Sequence, residues 1–222
     1  MTAVVDVLII EDHRLLAQSL ALALRQSGLT VRVADVPRST RQELLEGAAR
    51  CVVLDLDLGT DADGRSLDGV DLLPAWASAR VPVVVTTGSD DLSRWGACLV
   101  AGASTVLSKT EPVEVLAEVV HALLAGRTVT AASWRHEAVR AWHTRRQERA
   151  LLMAPLRRLT PREATVLDSL AEGSCAAAIA ARDVVSEATV RSQIKSILHK
   201  LEVTSQLQAV AILHRARATS RR

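Results

Sequence analysis

The sequence predicts an α/β domain with a doubly wound, five-stranded parallel sheet, followed by a small all-α domain of four helices. Three observations carry this. Apolar or β-branched runs at 4–10, 51–54, 81–85 and 105–107 each stop at a polar group, the mark of parallel strands buried on both faces. Strand and helix patterns alternate five times through residues 1–126, as βα units do. From Leu156 onward the strand signals cease and short capped helical segments take over.

The elements follow in order. After the first run, a helical pattern covers 15–27 and stops at Gly28, a residue that commonly ends helices. Residues 31–34 make a short strand. Thr40 and Glu43 have capping-box spacing and open a helix that runs to about residue 49. The third strand is 51–55. Residues 59–69, rich in Gly and Asp, read as a loop, and a short helix starts near Val70. The fourth strand is 81–87, a helix covers 91–100 and ends at Gly102, and the fifth strand is 105–107. Pro112 sits in the first turn of a helix that stops at Gly126. Within 127–154, residues 133–152 form an Arg-rich helix anchored by Trp134 and Trp142. It reads as a linker that partly packs on a neighbour, since a simple tether needs less chain. Thr160-Pro161-Arg162-Glu163 is a second capping box with Pro at the first helical position, and that helix ends at Gly173. A second helix covers about 175–182, Ser186 caps a third over 187–201, and Thr204 caps a fourth to about Arg217. A short helix, a turn and a capped longer helix make a helix-turn-helix. The expected domains are therefore 1–126, a helical linker 127–154, and 155–222.

Charge divides the chain in the same way. Residues 1–126 carry 10 Lys/Arg against 17 Asp/Glu, a net −7. Residues 127–154 carry 6 against 2 and residues 155–222 carry 11 against 6, net +4 and +5. An acidic half joined to a basic half suggests a sensing or catalytic unit joined to a unit that binds polyanions. Cys51, Cys98 and Cys175 are odd in number and lack metal-ligand spacing; buried free thiols in a reducing cytoplasm are the expectation. No basic leader precedes an apolar core at the N-terminus, and no apolar stretch is long enough to span a bilayer. A soluble cytoplasmic protein is expected, with no membrane partner. Only three of the basic residues are lysines, at 109, 195 and 200. An ammonium retained in so Arg-biased a chain hints at a task that guanidinium does less well.

Ligand groups in open α/β sheets collect outside the carboxyl ends of the strands. There the sequence places Glu11 and Asp12 after the first strand, Asp55 after the third, Thr87 after the fourth and Lys109 after the fifth. A lone acid at a strand end is ordinarily a turn residue; five such groups on one rim are a site. Three carboxylates held together repel, and a divalent cation removes that cost. Such a rim suits phosphoryl transfer to a carboxylate. Thr86 is an alternative to Thr87, although the count from Pro82 favours Thr87, and Asp57 is an alternative acceptor.

Residues 1–126 resemble the receiver domain of two-component response regulators, a flavodoxin-like fold. The words that carry the likeness are VLIIEDH at 7–13, VVLDLDLG at 52–59, VPVVVTTG at 81–88 and GASTVLSKTEP at 102–112. The resemblance implies that Asp55 accepts a phosphoryl group from a partner sensor histidine kinase. It also implies that Glu11, Asp12 and Asp55, with the backbone carbonyl of Asp57, hold Mg²⁺. Lys109 and the Thr87 hydroxyl would contact the phosphoryl oxygens.

The chain departs from the pattern in three places. Val106 stands where receivers usually carry an aromatic, so the usual Thr–aromatic switch cannot operate in its normal form and only modest coupling of phosphorylation to output is expected. Gly59 replaces the usual proline, and the loop from Asp55 to Gly69 is longer than usual. That loop's Asp61, Asp63 and Asp68 do not fit a calcium-loop template, because positions 1 and 12 lack an acid. A phosphorylation-independent interaction module is the second reading of this half. A third is a phosphatase resembling the haloacid dehalogenases, with Asp55 as nucleophile. It lacks the threonine or valine expected at position 59 and an acidic pair after Lys109, so no enzyme is expected.

Residues 156–213 resemble the LuxR-type (NarL-type) DNA-binding domain through LTPREATVLDSLAEG at 159–173, IAARDVVSEATVRSQIKSILHKLEV at 179–203 and QAVAI at 208–212. The segment SCAAAIA at 174–180 lacks the family's usual Asn and charged residues. Val190, Ile194, Ile197, Leu198 and Leu201 make one apolar helical stripe. Arg191, Lys195 and His199 run at i, i+4 and i+8 on another face, beside Ser192, where they could reach base edges or phosphates of a major groove. Ser186 and Thr189, at the helix start, would meet a phosphate. Double-stranded DNA and a second copy of the chain, as a homodimer, are the further expected partners.

Overall fold

A computed structural model of the chain describes residues 4–46 and 48–220. The chain divides into two compact units, Met1–His143 and Thr144–Arg222. The division falls inside the segment 127–154 that the sequence marks as a linker.

The first unit is a parallel sheet in the order β2-β1-β3-β6-β7, formed by β1 (Val5–Ile10), β2 (Val31–Val33), β3 (Ala49–Asp55), β6 (Val83–Thr87) and β7 (Thr105–Ser108). The order reverses between β1 and β3, which makes their carboxyl ends the switch point where ligands bind. Successive strand residues point to opposite faces. Val7, Ile9, Val53 and Val84 pack on one face with α1 (Arg14–Gln26) and α5 (Val113–Leu124). Leu8, Ile10, Val52, Leu54, Val83 and Val85 pack on the other with α3 (Leu73–Ser78) and α4 (Leu92–Ala101).

Three local expectations are corrected. The helix α2 (Arg41–Leu45) has the predicted Thr40/Glu43 capping box but ends well before residue 49. Ala49 instead pairs with Val5, so sheet pairing overrides the helical pattern there; Gly47 lies outside the described residues. The predicted 59–69 loop is an antiparallel hairpin of β4 (Asp57–Thr60) and β5 (Ser66–Asp68). Its Leu58 and Leu67 enter the core, and the buried Asp61 carboxylate accepts the N–H groups of Asp63 and Arg65 at 3.0 and 2.9 Å to close the tip. Each strand is too short to show an alternation in sequence. A Cβ at Gly69 would overlap the Asp55 carbonyl, so this glycine lets the hairpin press on the end of β3. Finally, Asp91 is the N-cap of α4, accepting the Ser93 N–H at 2.9 Å, rather than its first residue. Gly102 closes that helix at φ +114°, a conformation glycine adopts without strain.

The helix α6 (Ala132–Met153) runs through the division between the units. Its first half packs on α4: Ala138 is fully buried, Trp134 meets Trp95 with ring centroids 5.5 Å apart, and Arg135 donates to the Leu99 carbonyl.

The second unit holds α7 (Pro161–Ala171), α8 (Ala176–Asp183), α9 (Glu187–Lys200) and α10 (Gln206–Ser220) around Val166, Leu167, Ile179, Val190 and Ile197. Thr160 and Ser186 cap α7 and α9 as predicted. At α10 the cap is Ser205, whose hydroxyl accepts the Gln208 N–H at 3.3 Å, not Thr204, which instead binds the Gln208 side chain. Cys51 and Cys98 are buried free thiols, and burial pushes both up to about 12. Cys175 is exposed at the start of α8, against the expectation. Among the described residues no helix is long and apolar enough to cross a membrane.

Candidate functional site

The site is built from strand ends. β1 stops at Ile10, so Glu11 and Asp12 leave the sheet at its carboxyl edge; β3 stops at Asp55, and β7 delivers Lys109 one residue past its end. The Lys109 backbone N–H donates to the Thr87 carbonyl at 2.8 Å, which holds the two neighbouring strand ends together. Glu11 and Asp55 are only 3% and 2% exposed. Between them the Lys109 ammonium lies 2.8 Å from Glu11 Oε2 and 2.9 Å from Asp55 Oδ2. Asp55 Oδ1 accepts the Leu56 N–H at 2.7 Å. Its Oδ2 is buried, and among the described residues no hydrogen-bond donor reaches it besides the Lys109 ammonium. A buried, under-satisfied carboxylate oxygen is an acceptor for something brought in from outside.

Ligand atoms of Glu11, Asp12, His13 and Asp55 all lie within 4.8 Å of one another. Hard carboxylate oxygens in a group of three suit a divalent cation such as Mg²⁺ or Ca²⁺. Burial raises the Glu11 pKa against the opposing Lys109 and His13 hydrogen bonds. Burial also works against the Lys109 charge, but its bonds to Glu11 and Asp55 outweigh it and the pKa is raised. Lys109 is therefore a fixed ammonium, the fourth charged member of the rim.

His13 is the member that sequence reasoning passed over. Its Nδ1 lies 2.9 Å from Asp12 Oδ1 and 3.3 Å from Glu11 Oε1. The hydrogen bond that its ring donates to Asp12, then the charges of Asp12 and Glu11, raise its pKa. The signal was present, a histidine next to two acids at a strand end.

The two alternatives separate in space. Thr87 is fully buried and its hydroxyl accepts the Ser89 N–H at 3.1 Å. Thr86 faces the α1–α5 side, lining a cavity with Leu16, Leu20 and Leu116. The Asp57 side chain is largely exposed and held by Arg94 of α4 at 2.6 Å, outside the carboxylate group. Arg94 had no signal in sequence, since its partner lies 37 residues away. Gly59, at φ +66°, lets the hairpin pass the acidic pair: a Cβ there would stand 3.2 Å from Asp12 Oδ2.

In the second unit α9 shows two faces. Val190, Ile194, Ile197 and Leu201 are buried, while Arg191, Ser192, Lys195 and His199 are exposed. The Arg191 guanidinium pairs with Glu187 Oε1 at 2.6 Å one turn earlier. At an exposed position such a pair is worth only about 0.3–0.5 kcal/mol, so Arg191 is readily released to another acceptor. Ser186 and Thr189 stand exposed at the helix start, and the Ser186 hydroxyl accepts the Thr189 N–H at 3.0 Å. Lys200 is turned inward and bonds Glu163 at 2.7 Å.

Residues 7–121 match the response regulator receiver domain family, and residues 157–213 match the family of bacterial regulatory proteins, luxR family. The chain belongs to the response regulators. Two curated relatives align along nearly their whole length. The nitrate/nitrite response regulator protein homolog of Haemophilus influenzae is 27% identical over 210 residues, covering 93% of this chain and 94% of that one. The nitrate/nitrite response regulator protein NarP of Escherichia coli is 29% identical over 209 residues, with 93% of each covered. Among solved structures, the two-component response regulator RcsB–DNA complex aligns over 96% of this chain and 98% of that one, at 23% identity and a TM-score of 0.48. This response regulator joins a receiver to a LuxR-type DNA-binding domain, the NarL/FixJ arrangement, in a family of transcriptional regulators.

Proposed function

We propose that this response regulator is switched by phosphorylation of Asp55, with a sensor histidine kinase as donor and Mg²⁺ held by Glu11, Asp12, Asp55 and the Asp57 carbonyl. The observation that carries the reading is the Asp55 carboxylate, buried beside Glu11 with the Lys109 ammonium 2.9 Å from its Oδ2. In the transfer an Asp55 oxygen forms the new P–O bond while the P–N bond to the donor imidazole breaks. A Mg²⁺ ion bound by these groups would supply neutralisation of charge on the phosphoryl oxygens. Lys109, already charged and 2.9 Å from Asp55, moves its point charge onto a phosphoryl oxygen, and the Thr87 hydroxyl donates to another.

The output is DNA binding in the cytoplasm. The exposed face of α9 enters the major groove, with Arg191, Ser192, Lys195 and His199 toward bases and phosphates and Ser186 and Thr189 at a phosphate. Two copies bind as a homodimer on half-sites about one helical turn apart. The start of α10, where Leu207 is 80% exposed, is the pairing surface.

Labelling by acetyl phosphate with Mg²⁺ tests the switch. Asp55→Asn is expected to abolish it and Asp57→Asn to retain it. Labelling that survives Asp55→Asn overturns the assignment, and an unlabelled wild type favours the phosphorylation-independent module, the reading that Val106 in the aromatic position motivates.

A further inference from the structure

Val106, on β7 beside Val85 of β6, is buried in the core and is too small to swing between two positions as an aromatic would. A signal arising at Asp55 needs another route out, and a continuous line of contacts leaves the site in a different direction. The Thr87 hydroxyl accepts the Ser89 N–H at 3.1 Å. The Ser89 carbonyl accepts the indole N–H of Trp95 at 2.6 Å. The Trp95 ring lies against Trp134 of α6, centroids 5.5 Å apart and planes tilted by 55°. The intervening turn is stiff: the Ser89 hydroxyl accepts the Asp91 N–H at 3.2 Å, and Asp91 caps α4.

Downstream, α4 and α6 touch without clearance. A Cβ at Gly96 would overlap the Ala138 carbonyl, and Ala138 is fully buried. Arg135 of α6 donates to the Leu99 carbonyl of α4 at 3.3 Å. Interiors packed this closely transmit displacement rather than absorb it.

We propose that Thr87, Ser89, Trp95 and Trp134 form the output line of this receiver, in which Trp95 is a positioning residue that couples the phosphoryl site to the helix α6. This rests on the reading of Asp55 as phosphoacceptor. When the Thr87 oxygen turns toward a phosphoryl group, either the Ser89 turn follows it or the Ser89–Thr87 bond breaks. Both shift the carbonyl that holds the Trp95 indole, and Trp95 carries the shift to Trp134. The linker helix, rather than a swinging aromatic on β7, then reports the state of the site.

The test uses the full chain with and without acetyl phosphate and Mg²⁺, reading Asp55 labelling and amide hydrogen exchange over residues 132–143 in parallel. In the wild type, labelling is expected to change exchange in that segment. Trp95→Phe keeps a ring against Trp134 but loses the N–H donor; Trp134→Leu alters only the far end of the line. Both are expected to label as the wild type does and to lose the exchange response. Wild-type labelling with no exchange change over 132–143, or a full response in both variants, overturns the output line alone. Absence of labelling in the wild type overturns the phosphoacceptor reading and the output line with it.

Discussion

Asp12 shows how a single carboxylate gains meaning from its neighbours. It is partly exposed and would be an ordinary turn acid, but it completes a set of three carboxylates within 4.8 Å. Two of these, Glu11 and Asp55, are buried, and the Lys109 ammonium stands between them. The set carries more negative charge than Lys109 neutralises, and a divalent cation relieves the excess. Mg²⁺ is expected to bind at about millimolar concentration or tighter, read through the fluorescence of Trp95, which hangs from the same rim through Ser89. Asp12→Ala is expected to weaken that binding by about tenfold or more, a loss of ~1.4 kcal/mol. A titration of Asp12→Ala that overlays the wild type would remove Asp12 from the metal set.

Among the elements, α4 and α9 carry the most testable packing. At Gly96, alanine would gain about 1 kcal/mol of helix propensity. Its Cβ would also overlap the Ala138 carbonyl and crowd Trp142, and overpacking of that kind costs about 1–3 kcal/mol. The steric cost wins, so Gly96→Ala is expected to destabilise the first unit in denaturant and to loosen the 132–143 segment. A stabilised variant would mean that this helix does not dock on α4. On α9, Arg191→Ala is expected to cost ~1–3 kcal/mol of specific DNA binding, as the loss of a bidentate contact to guanine does. Lys195→Ala is expected to weaken all sequences alike and to flatten the salt dependence by about 0.9 in the log–log slope, the value of one phosphate contact. Footprinting and salt titration on the promoter separate the two roles. Wild-type affinity in the double variant would show that α9 does not enter the groove.

For the whole molecule, two units with separate cores imply two separate responses to acid. In the second unit, burial pushes the Glu163 carboxyl up, but the bonds from Lys200, Ser196 and Thr160 outweigh it and hold the pKa at about 2 against an ordinary 4.5. The folded state therefore takes up its proton later than the unfolded chain. This contribution to stability is fully present above 4.5 and is lost as pH falls toward about 2. Thermal melts across that window are expected to show the helical unit weakening. In Glu163→Gln the unit is expected to be weaker at neutral pH, with Lys200 unpaired, and to respond less to acid. An unchanged pH profile in that variant would rule out Glu163 as the group responsible.

The parts legible in the sequence are those set by neighbours along the chain. The strand ends that deliver Glu11, Asp55 and Lys109, the Thr40, Thr160 and Ser186 caps, and the two faces of α9 all depend on residues a few positions apart, where periodicity and capping chemistry act. Tertiary structure decided what local rules leave open. It ended α2 at Leu45 because Ala49 had a strand to pair with, and it folded 57–68 into a hairpin because Leu58 and Leu67 could share the core. It also paired Arg94 with Asp57 and pressed α6 on Gly96. The Ala49–Val5 pairing, the Arg94–Asp57 ion pair and the contact of Ala138 on Gly96 each join residues 37 or more positions apart. The hairpin, though its strands are close in sequence, depends on the distant core that Leu58 and Leu67 share. Such contact free energy exists only once the chain has brought the partners together.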